Sequence, residues 1–453
     1  MTEIKFGTDG WRALVAEEFT FPNVRRVAQA TAEYLKAHPA RGRSRSVIVG
    51  YDTRPLGDRF AQAVAEVLAG NGLPVLLTRG PMPTPAVSLS IRQLRLSGGV
   101  LITASHNPFT YNGFKFRPFY AGSAEPAMTR WIEKRLSRAK VRRIPFQEGI
   151  LRRRIRLVDL RPRYLAFLKR YVDWSVLKKA RFRVAYDSMY GAGQDLLERL
   201  LDGTGIELIP VRSRSSPLSS SHRPEPIKDE LKELARTVRR ERCHLGLATD
   251  GDADRAGVMD SNGAFVSSQE TMSLLLWHLL QDRGWRGMAV TTVAGTNLMD
   301  RIAARYGVPL KRTPFGFRGF APERDGLLAG LLVLEMMAMR RKGLAAILSE
   351  LRDRFGRWVS GRADLTLDRP VDPKGLLRWA GSGEARRLKL GSPLGEIQTL
   401  DGVKLIFQDE SWLLLRPSGT EPLLRIYGEA GSRGRLQALL NKGRQIGKRM
   451  TGV

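Results

Sequence analysis

Three short stretches hold residue types that could do chemistry together. In Thr103-Ala-Ser-His-Asn-Pro, which follows the apolar run Val100-Leu-Ile, Ser105 is expected in a loop with its hydroxyl exposed and His106 and Asn107 beside it. A serine alone is an ordinary turn residue. The chain has no Gly-x-Ser-x-Gly elbow and no partner set arranged like a hydrolase triad, so the chemistry of Ser105 must come from its surroundings. The most informative stretch is Asp250-Gly-Asp-Ala-Asp-Arg. In an extended segment residues i, i+2 and i+4 share a face, which would crowd Asp250, Asp252 and Asp254 at a cost that only a cation between them relieves. Oxygen ligands suit Mg²⁺ or Ca²⁺. An EF-hand is excluded, because its sixth position would be Arg255 and its twelfth Ser261. In Arg416-Pro-Ser-Gly-Thr-Glu-Pro, followed by Arg425, hydroxyls, accessible backbone N–H groups and flanking guanidiniums make the chemistry of a phosphate cradle, although alone the stretch reads equally as a plain hairpin loop. A serine, a carboxylate cluster and a remote phosphate loop suit a substrate anchored at one end while the other reacts.

The elements that must position these residues are α/β units. Val47–Tyr51, Gly99–Thr103, Arg183–Asp187, His244–Ala248 and Met288–Thr292 read as strands, and Phe60–Leu68, Gln194–Leu201 and Asn297–Tyr306 as helices. Such alternation argues for parallel sheets, whose ligands gather at the carboxyl ends of strands. Each motif follows a predicted strand. The last hundred residues differ: Lys404–Phe407, Ser411–Arg416 and Leu423–Tyr427 read as an antiparallel set closed by a helix from Leu436. The arginine-rich stretch Arg142–Arg163 is the expected first boundary and Asp353–Ala363 the last. The repeated units hint at duplication without enough residue-level likeness to assert it.

Composition bounds these readings. A chain of 453 residues, 26% charged and 42% hydrophobic, is ordinary globular usage and excludes collagen, a coiled coil or a wholly disordered chain. Length suggests about three domains, and four small ones also fit. One cysteine, Cys243, allows no internal disulfide and favours a reducing compartment. The N-terminus lacks an apolar h-region, and the apolar run Leu327–Met339 is short and broken by Glu335, against the roughly 20 residues a bilayer needs. A cytoplasmic enzyme with no membrane partner is expected. The net charge of +30 is spread along the chain in short runs, so it reads as a solvated basic surface, and nucleic acid is not expected as a partner.

The opening Phe6-Gly-Thr-Asp-Gly-Trp-Arg, the Ser-His-Asn-Pro loop, the triple-aspartate stretch and Arg-Pro-Ser-Gly-Thr-Glu-Pro, taken in order, resemble the four signatures of the α-D-phosphohexomutases. The likeness covers essentially the whole chain and is greatest to bacterial phosphoglucomutase/phosphomannomutase enzymes. It implies an α/β fold of four domains, three related α/β domains and a C-terminal α+β domain, here 1–157, 158–264, 265–358 and 359–453. It also implies a reaction: interconversion of hexose 1-phosphate and hexose 6-phosphate, of glucose or mannose, through a phosphoserine and a hexose 1,6-bisphosphate that serves as activator. Carried over by position, Ser105 bears the phosphoryl group and, with Asp250, Asp252 and Asp254, holds Mg²⁺. His106 and Lys115 assist proton transfer, Lys115 as a base if neighbouring cations lower its pKa, and Arg12 and Arg255 neutralise developing charge. Arg416, Ser418, Gly419, Thr420 and Arg425 clamp the non-reacting phosphate of the hexose phosphate.

The sequence departs from that pattern in the third domain. The family's Gly-Glu-x-Ser-Gly sugar-contacting loop is missing: Thr313-Pro-Phe-Gly-Phe-Arg-Gly-Phe runs straight into Ala321-Pro-Glu-Arg-Asp-Gly, and Arg318 stands where a lysine is usual. The alternative reading is therefore a degraded mutase that binds sugar phosphates, or acts as a weak phosphatase that releases bisphosphate.

Overall fold

The computed structural model describes residues 4–7, 9–213, 222–315, 323–368, 371–388, 390–418 and 423–451. The chain forms two compact units, Met1–Ser268 with Arg318–Ala345, and Gln269–Phe317 with Ala346–Val453.

The first unit is built on two sheets. One contains β1 (Trp11–Leu14), β2 (Ser44–Tyr51), β3 (Val75–Thr78), β4 (Leu96–Ile102), β5 (Tyr111–Pro118) and β6 (Ile155–Val158), in the order β1-β5-β4-β2-β3-β6. β4, β2, β3 and β6 pair in parallel, and β5 is antiparallel to both β4 and β1. Helix Gly57–Gly70 carries the chain from β2 to β3, and helix Thr84–Gln93 from β3 back past β2 to β4. The winding therefore reverses between β2 and β4, the place where open α/β sheets put their ligands. Val47, Val49, Val100 and Ile102 meet Phe60, Val64 and Leu68 of the first of these helices in the core. The arginine-rich stretch expected as a boundary is itself structured, with helix Phe146–Leu151 and the edge strand β6.

The second sheet contains β7 (Arg183–Asp187), β8 (Glu207–Val211), β9 (Leu245–Thr249), β10 (Ala256–Met259) and β11 (Phe265–Val266), in the order β11-β10-β9-β7-β8. Its run β10-β9-β7-β8 repeats β5-β4-β2-β3: a parallel trio with an antiparallel strand beside its last-formed member. The duplication that the repeated strand–helix units only hinted at is plain in the topology. Helix Gly326–Arg340 packs on β9 and β10 and so groups with this unit. Asp325 caps it, accepting from the Leu328 N–H at 2.9 Å, and also accepts from the Tyr164 hydroxyl at 2.9 Å. Its apolar run is core, and among the described residues no helix is long and apolar enough to cross a membrane.

The second unit has a parallel pair, β12 (Ala289–Thr292) and β13 (Leu310–Thr313), joined by helix Asn297–Arg305. It also has an antiparallel sheet of β14 (Val359–Thr366), β15 (Leu394–Gln398), β16 (Val403–Phe407), β17 (Trp412–Pro417) and β18 (Leu423–Ala430), ordered β14-β18-β17-β16-β15. The three antiparallel strands expected from the sequence are its centre, and helix Arg433–Thr451 packs on β14, β17 and β18.

Lys404 is an anomaly of this unit. It is 3% exposed, donates to the Val293 carbonyl at 3.0 Å and lies 4.1 Å from the centre of the Trp412 ring. Neither partner is a carboxylate. Burial, then Arg312, lower its pKa to about 7, against the pull of Asp300, Glu429 and Glu396. A lysine with a depressed folded pKa binds fewer protons folded than unfolded between that value and its ordinary one, so stability rises with pH over that window. Below pH 7 the full cost of burying the cation is present. Lys404→Met should therefore raise the melting temperature of this unit by a few degrees below neutrality. The gain should fade as the pH rises past about 10.5, above which the lysine is neutral in both states. Calorimetry across that range checks the slope; a pH-independent effect would show that packing alone is at stake.

Candidate active site

The catalytic and metal candidates all lie in the first unit. β4 ends at Ile102, and the chain turns at Ser105 with φ +52°, a left-handed conformation that a serine adopts at some cost. Ser105 Oγ donates to Asp250 Oδ2 at 2.9 Å and lies 3.4 Å from His106 Nδ1. The expected exposure is not found, since Ser105 is only 1% exposed. The turn after β9 packs over it so closely that a Cβ at Gly251 would lie 2.4 Å from the Ser105 carbonyl oxygen. Only glycine permits that approach.

Asp250, Asp252 and Asp254 do converge, with one carboxylate oxygen from each within 4.8 Å of the others. Strand alternation is not the cause. β9 stops at Thr249, and the three residues ride a turn with Ala253 at φ +55°. All three are buried, and Asp252 Oδ1 and Asp254 Oδ1 have no hydrogen-bond partner among the described residues. Orphaned oxygens in a buried all-carboxylate set are what a hard divalent cation would satisfy. Burial, reinforced by Asp254 and Asp252, pushes Asp250 well above the usual carboxylate range. Burial would raise Asp252 too, but the Lys115 ammonium overrides it and holds that group low.

Lys115, on β5, places Nζ 2.7 Å from Asp252, 2.9 Å from Asp9 and 3.9 Å from Asp254. The sequence reading allowed a base lowered by neighbouring cations. Burial alone would lower it, but the three carboxylates outweigh burial and raise it, so Lys115 stands as a held cation. His106 is pushed far down by burial and then by Arg255, Arg12 and Arg223, leaving a neutral ring at the serine. Arg12 Nη1 donates to Asn107 Oδ1 at 2.9 Å. The Arg255 backbone N–H donates to Asp250 at 3.0 Å, while its guanidinium pairs with Glu225 at 3.0 Å.

Arg54 and Thr84 carry no local signature, and Arg324, though it lies in the Ala321-Pro-Glu-Arg-Asp-Gly stretch, has no role read from it in the sequence. Arg54, just past β2, has a fully buried side chain paired with Asp52 at 3.2 Å. It donates to the carbonyl oxygens of Ser105, Asn107, Pro108 and Tyr111 at 2.6–2.9 Å. Burial pushes Asp52 up to about 6 against the pull of Arg54. Thr84 donates to Asp252 at 2.5 Å, and Arg324 pairs with Asp254 at 2.7 Å. The only sequence cue to the first pair was charge at the carboxyl end of a strand.

In the second unit Arg416 and Arg425 face each other across β17 and β18, and the Ser418 N–H closes the intervening loop on the Leu423 carbonyl at 2.8 Å. Like charges directly opposite in a sheet are unfavourable without an anion. Arg416 is steadied by Asp401 at 3.0 Å and the Phe315 ring at 4.5 Å. Gly419 and Thr420 lie outside the described residues, as do Arg318 and the junction where the sugar-contacting loop is missing.

A doubly wound pair of α/β sheets with a serine against a carboxylate turn, and an antiparallel C-terminal domain with an arginine-flanked loop, define a four-domain α/β phosphohexomutase. The chain belongs to the phosphoglucomutase/phosphomannomutase family: the models of its α/β/α domains I, II and III match residues 3–143, 162–263 and 267–323, and that of its C-terminal domain matches residues 382–443. It is 31% identical to the phosphoglucomutase/phosphomannomutase of Thermococcus kodakarensis, over 97% of each chain. It is 32% identical to a probable phosphoglucosamine mutase of Pyrococcus abyssi, over 98% of this chain and 97% of that one. The solved structure of a provisionally named phosphomannomutase of Thermus thermophilus superposes with a TM-score of 0.82 at 33% identity, covering 98% of this chain and 99% of that one.

Because the guanidinium fork of Arg54 fixes four carbonyls of the serine loop, Arg54→Lys should keep the charge beside Asp52 and lose the fork. Misplacing a reacting group costs about 10²-fold in rate. A drop in kcat of that order with an intact far-UV spectrum is expected. Unchanged turnover would show that the loop holds its shape unaided.

Proposed function

We propose that this phosphohexomutase interconverts the 1- and 6-phosphates of glucose and mannose through phospho-Ser105. The observation that supports it most is the buried hydrogen bond from Ser105 to Asp250 within the carboxylate cluster. A hexose phosphate hydroxyl attacks the phosphorus. The P–O bond to Ser105 breaks, a P–O bond to the sugar forms, and the hydroxyl proton passes to the neutral His106 ring beside the serine, while Lys115, already a cation, adds positive charge. The bisphosphate then returns its other phosphate to Ser105 Oγ. Phosphoryl transfer asks for positioning and positive charge more than for covalent chemistry; Arg12 and Arg255 supply that charge, and Arg416, Ser418 and Arg425 take the phosphate that is not transferred. Asp250, Asp252 and Asp254 would hold Mg²⁺, which polarises a phosphoryl group when bound. Relatives named as phosphoglucosamine mutases make the amino sugar the competing substrate.

The decisive experiment joins intact-mass analysis with a substrate panel. Ser105 should carry one phosphoryl group, and Ser105→Ala should lose it together with all bisphosphate-activated turnover. Glucose and mannose 1-phosphates should be turned over at comparable kcat/KM, since the loop that orients sugar hydroxyls in the family is missing. Strong preference for glucosamine 1-phosphate would overturn the substrate assignment, and phosphate release without isomerisation would favour the degraded-mutase reading.

The metal is tested separately by binding. Mn²⁺ titration should show one site that Asp252→Asn weakens by at least about tenfold, and chelation should abolish turnover until Mg²⁺ is restored. Full turnover in excess chelator would refute the assignment.

A further inference from the structure

Part of the surplus of positive charge lines a cavity that the proposed reaction does not use. A cavity of about 650 Å³ opens between helix Phe21–Ala37 and helix Pro126–Arg135 of the first unit, lined by Lys36, Lys134, Arg135, Arg138, Lys140 and Arg142. None of the proposed catalytic, metal or phosphate residues lines it. Its one carboxylate, Glu33, is already engaged, accepting from Gln29 at 3.0 Å and lying 3.8 Å from Arg135. Lys36, Lys134, Arg138 and Lys140 make no ion pair among the described residues.

The backbone that carries the exposed cations is held in place. Gln29 and Asn71, 2% and 8% exposed, bind each other through both amides at 3.0 and 2.7 Å. Gln29 also accepts from the Arg142 N–H at 3.0 Å, and Asn71 donates to the Arg142 carbonyl at 3.3 Å. Arg26 fastens the turn before Arg138 by donating to the Leu136 carbonyl at 3.1 Å. Like charges gathered on a concave wall repel one another and focus their field into the cavity. A preorganised wall also lowers the ordering cost of binding.

We propose that this cavity is a binding site for a chain of contiguous phosphates, inorganic or carried by a nucleoside. Six cations against one engaged carboxylate exceed what a monophosphate can neutralise, and the volume suits a small ligand. The observations disfavour RNA. Binding of single strands relies on successive aromatic platforms. The aromatic in this wall, Trp131, has the Arg135 guanidinium over its ring at 4.3 Å.

The test is calorimetric titration of the full chain with tripolyphosphate at low salt, with glucose 1,6-bisphosphate present at saturation to occupy the sugar-phosphate site. Binding should persist. It should weaken about tenfold in the double variant Lys134→Glu with Arg138→Glu, as expected for two partly exposed pairings, and fall steeply with added salt. The double variant should keep mutase turnover, and Lys134→Gln with Arg138→Gln gives the same test should it fold poorly. ATP binding as tightly as tripolyphosphate would identify the phosphate chain as the whole determinant; tighter ATP binding would add the nucleoside. No binding, binding indifferent to both double variants, or displacement by a single-stranded RNA of about ten nucleotides at far lower concentration would overturn the proposal.

Discussion

Burying three carboxylates with oxygens within 4.8 Å of one another is the demand to which the rest of the first unit answers. Each must leave water, and each repels the others. Lys115 meets Asp252 and Arg324 meets Asp254, both at 2.7 Å. Asp250 has no such partner among the described residues; the nearest guanidinium atom, Arg255 Nε, is 3.9 Å away. The carboxylate with the least compensation is the one to which Ser105 donates, and its pKa is driven up accordingly. The same demand accounts for two features of the fold. β5 must lie beside β4 for Lys115 to reach the turn after β9. Arg324 must return to that turn, and helix Gly326–Arg340, which starts two residues later, packs on β9 and β10.

The serine loop has a second, independent scaffold. Its backbone carbonyls converge on one guanidinium, Arg54, which leaves the carboxyl end of β2 while Ser105 leaves that of β4. These two strands flank the reversal of winding in the first sheet, as β7 and β9 flank it in the second. The duplicated topology thus offers two facing loops at equivalent positions. One was given a hydroxyl and the other carboxylates.

Much of this was legible in the residues. The alternating strands and helices, the antiparallel C-terminal set and the stretches around Ser105, Asp250 and Arg416 are local patterns, and local patterns survive in a sequence. What failed did so for physical reasons. Ser105 was expected to be exposed because loops ordinarily are, but Gly251 lets a second loop close over it. The aspartates were placed on one strand face, whereas a left-handed residue, Ala253, gathers them in a turn. Lys115 was to be lowered by cations, yet its contacts are with carboxylates from β10's preceding turn and from Asp9. Arg54, Thr84 and Arg324 act on residues 51, 168 and 70 positions away in the chain, and no spacing rule announces them.

The distribution of charge separates the two kinds of cation that composition merges into a single +30. Inside, nearly every positive group has a carboxylate or a set of carbonyls in reach: Arg54 with Asp52, Arg117 with Asp9 and Glu323, Lys115 with three aspartates. An unpartnered buried charge costs several kcal/mol, on the order of 3–5, and Lys404, which has no carboxylate partner among the described residues, has its pKa lowered instead. Outside no such rule applies, since water and salt solvate the surplus. The excess must therefore accumulate on exposed side chains, and it is uneven there: the wall around Lys36 and Arg138 gathers six cations over one carboxylate, while pairs such as Arg152 with Glu148 at 2.7 Å are locally balanced. Net charge says how much surplus a fold must place. Only the arrangement of helices says whether it is dispersed or focused, and here part of it is focused into a cavity.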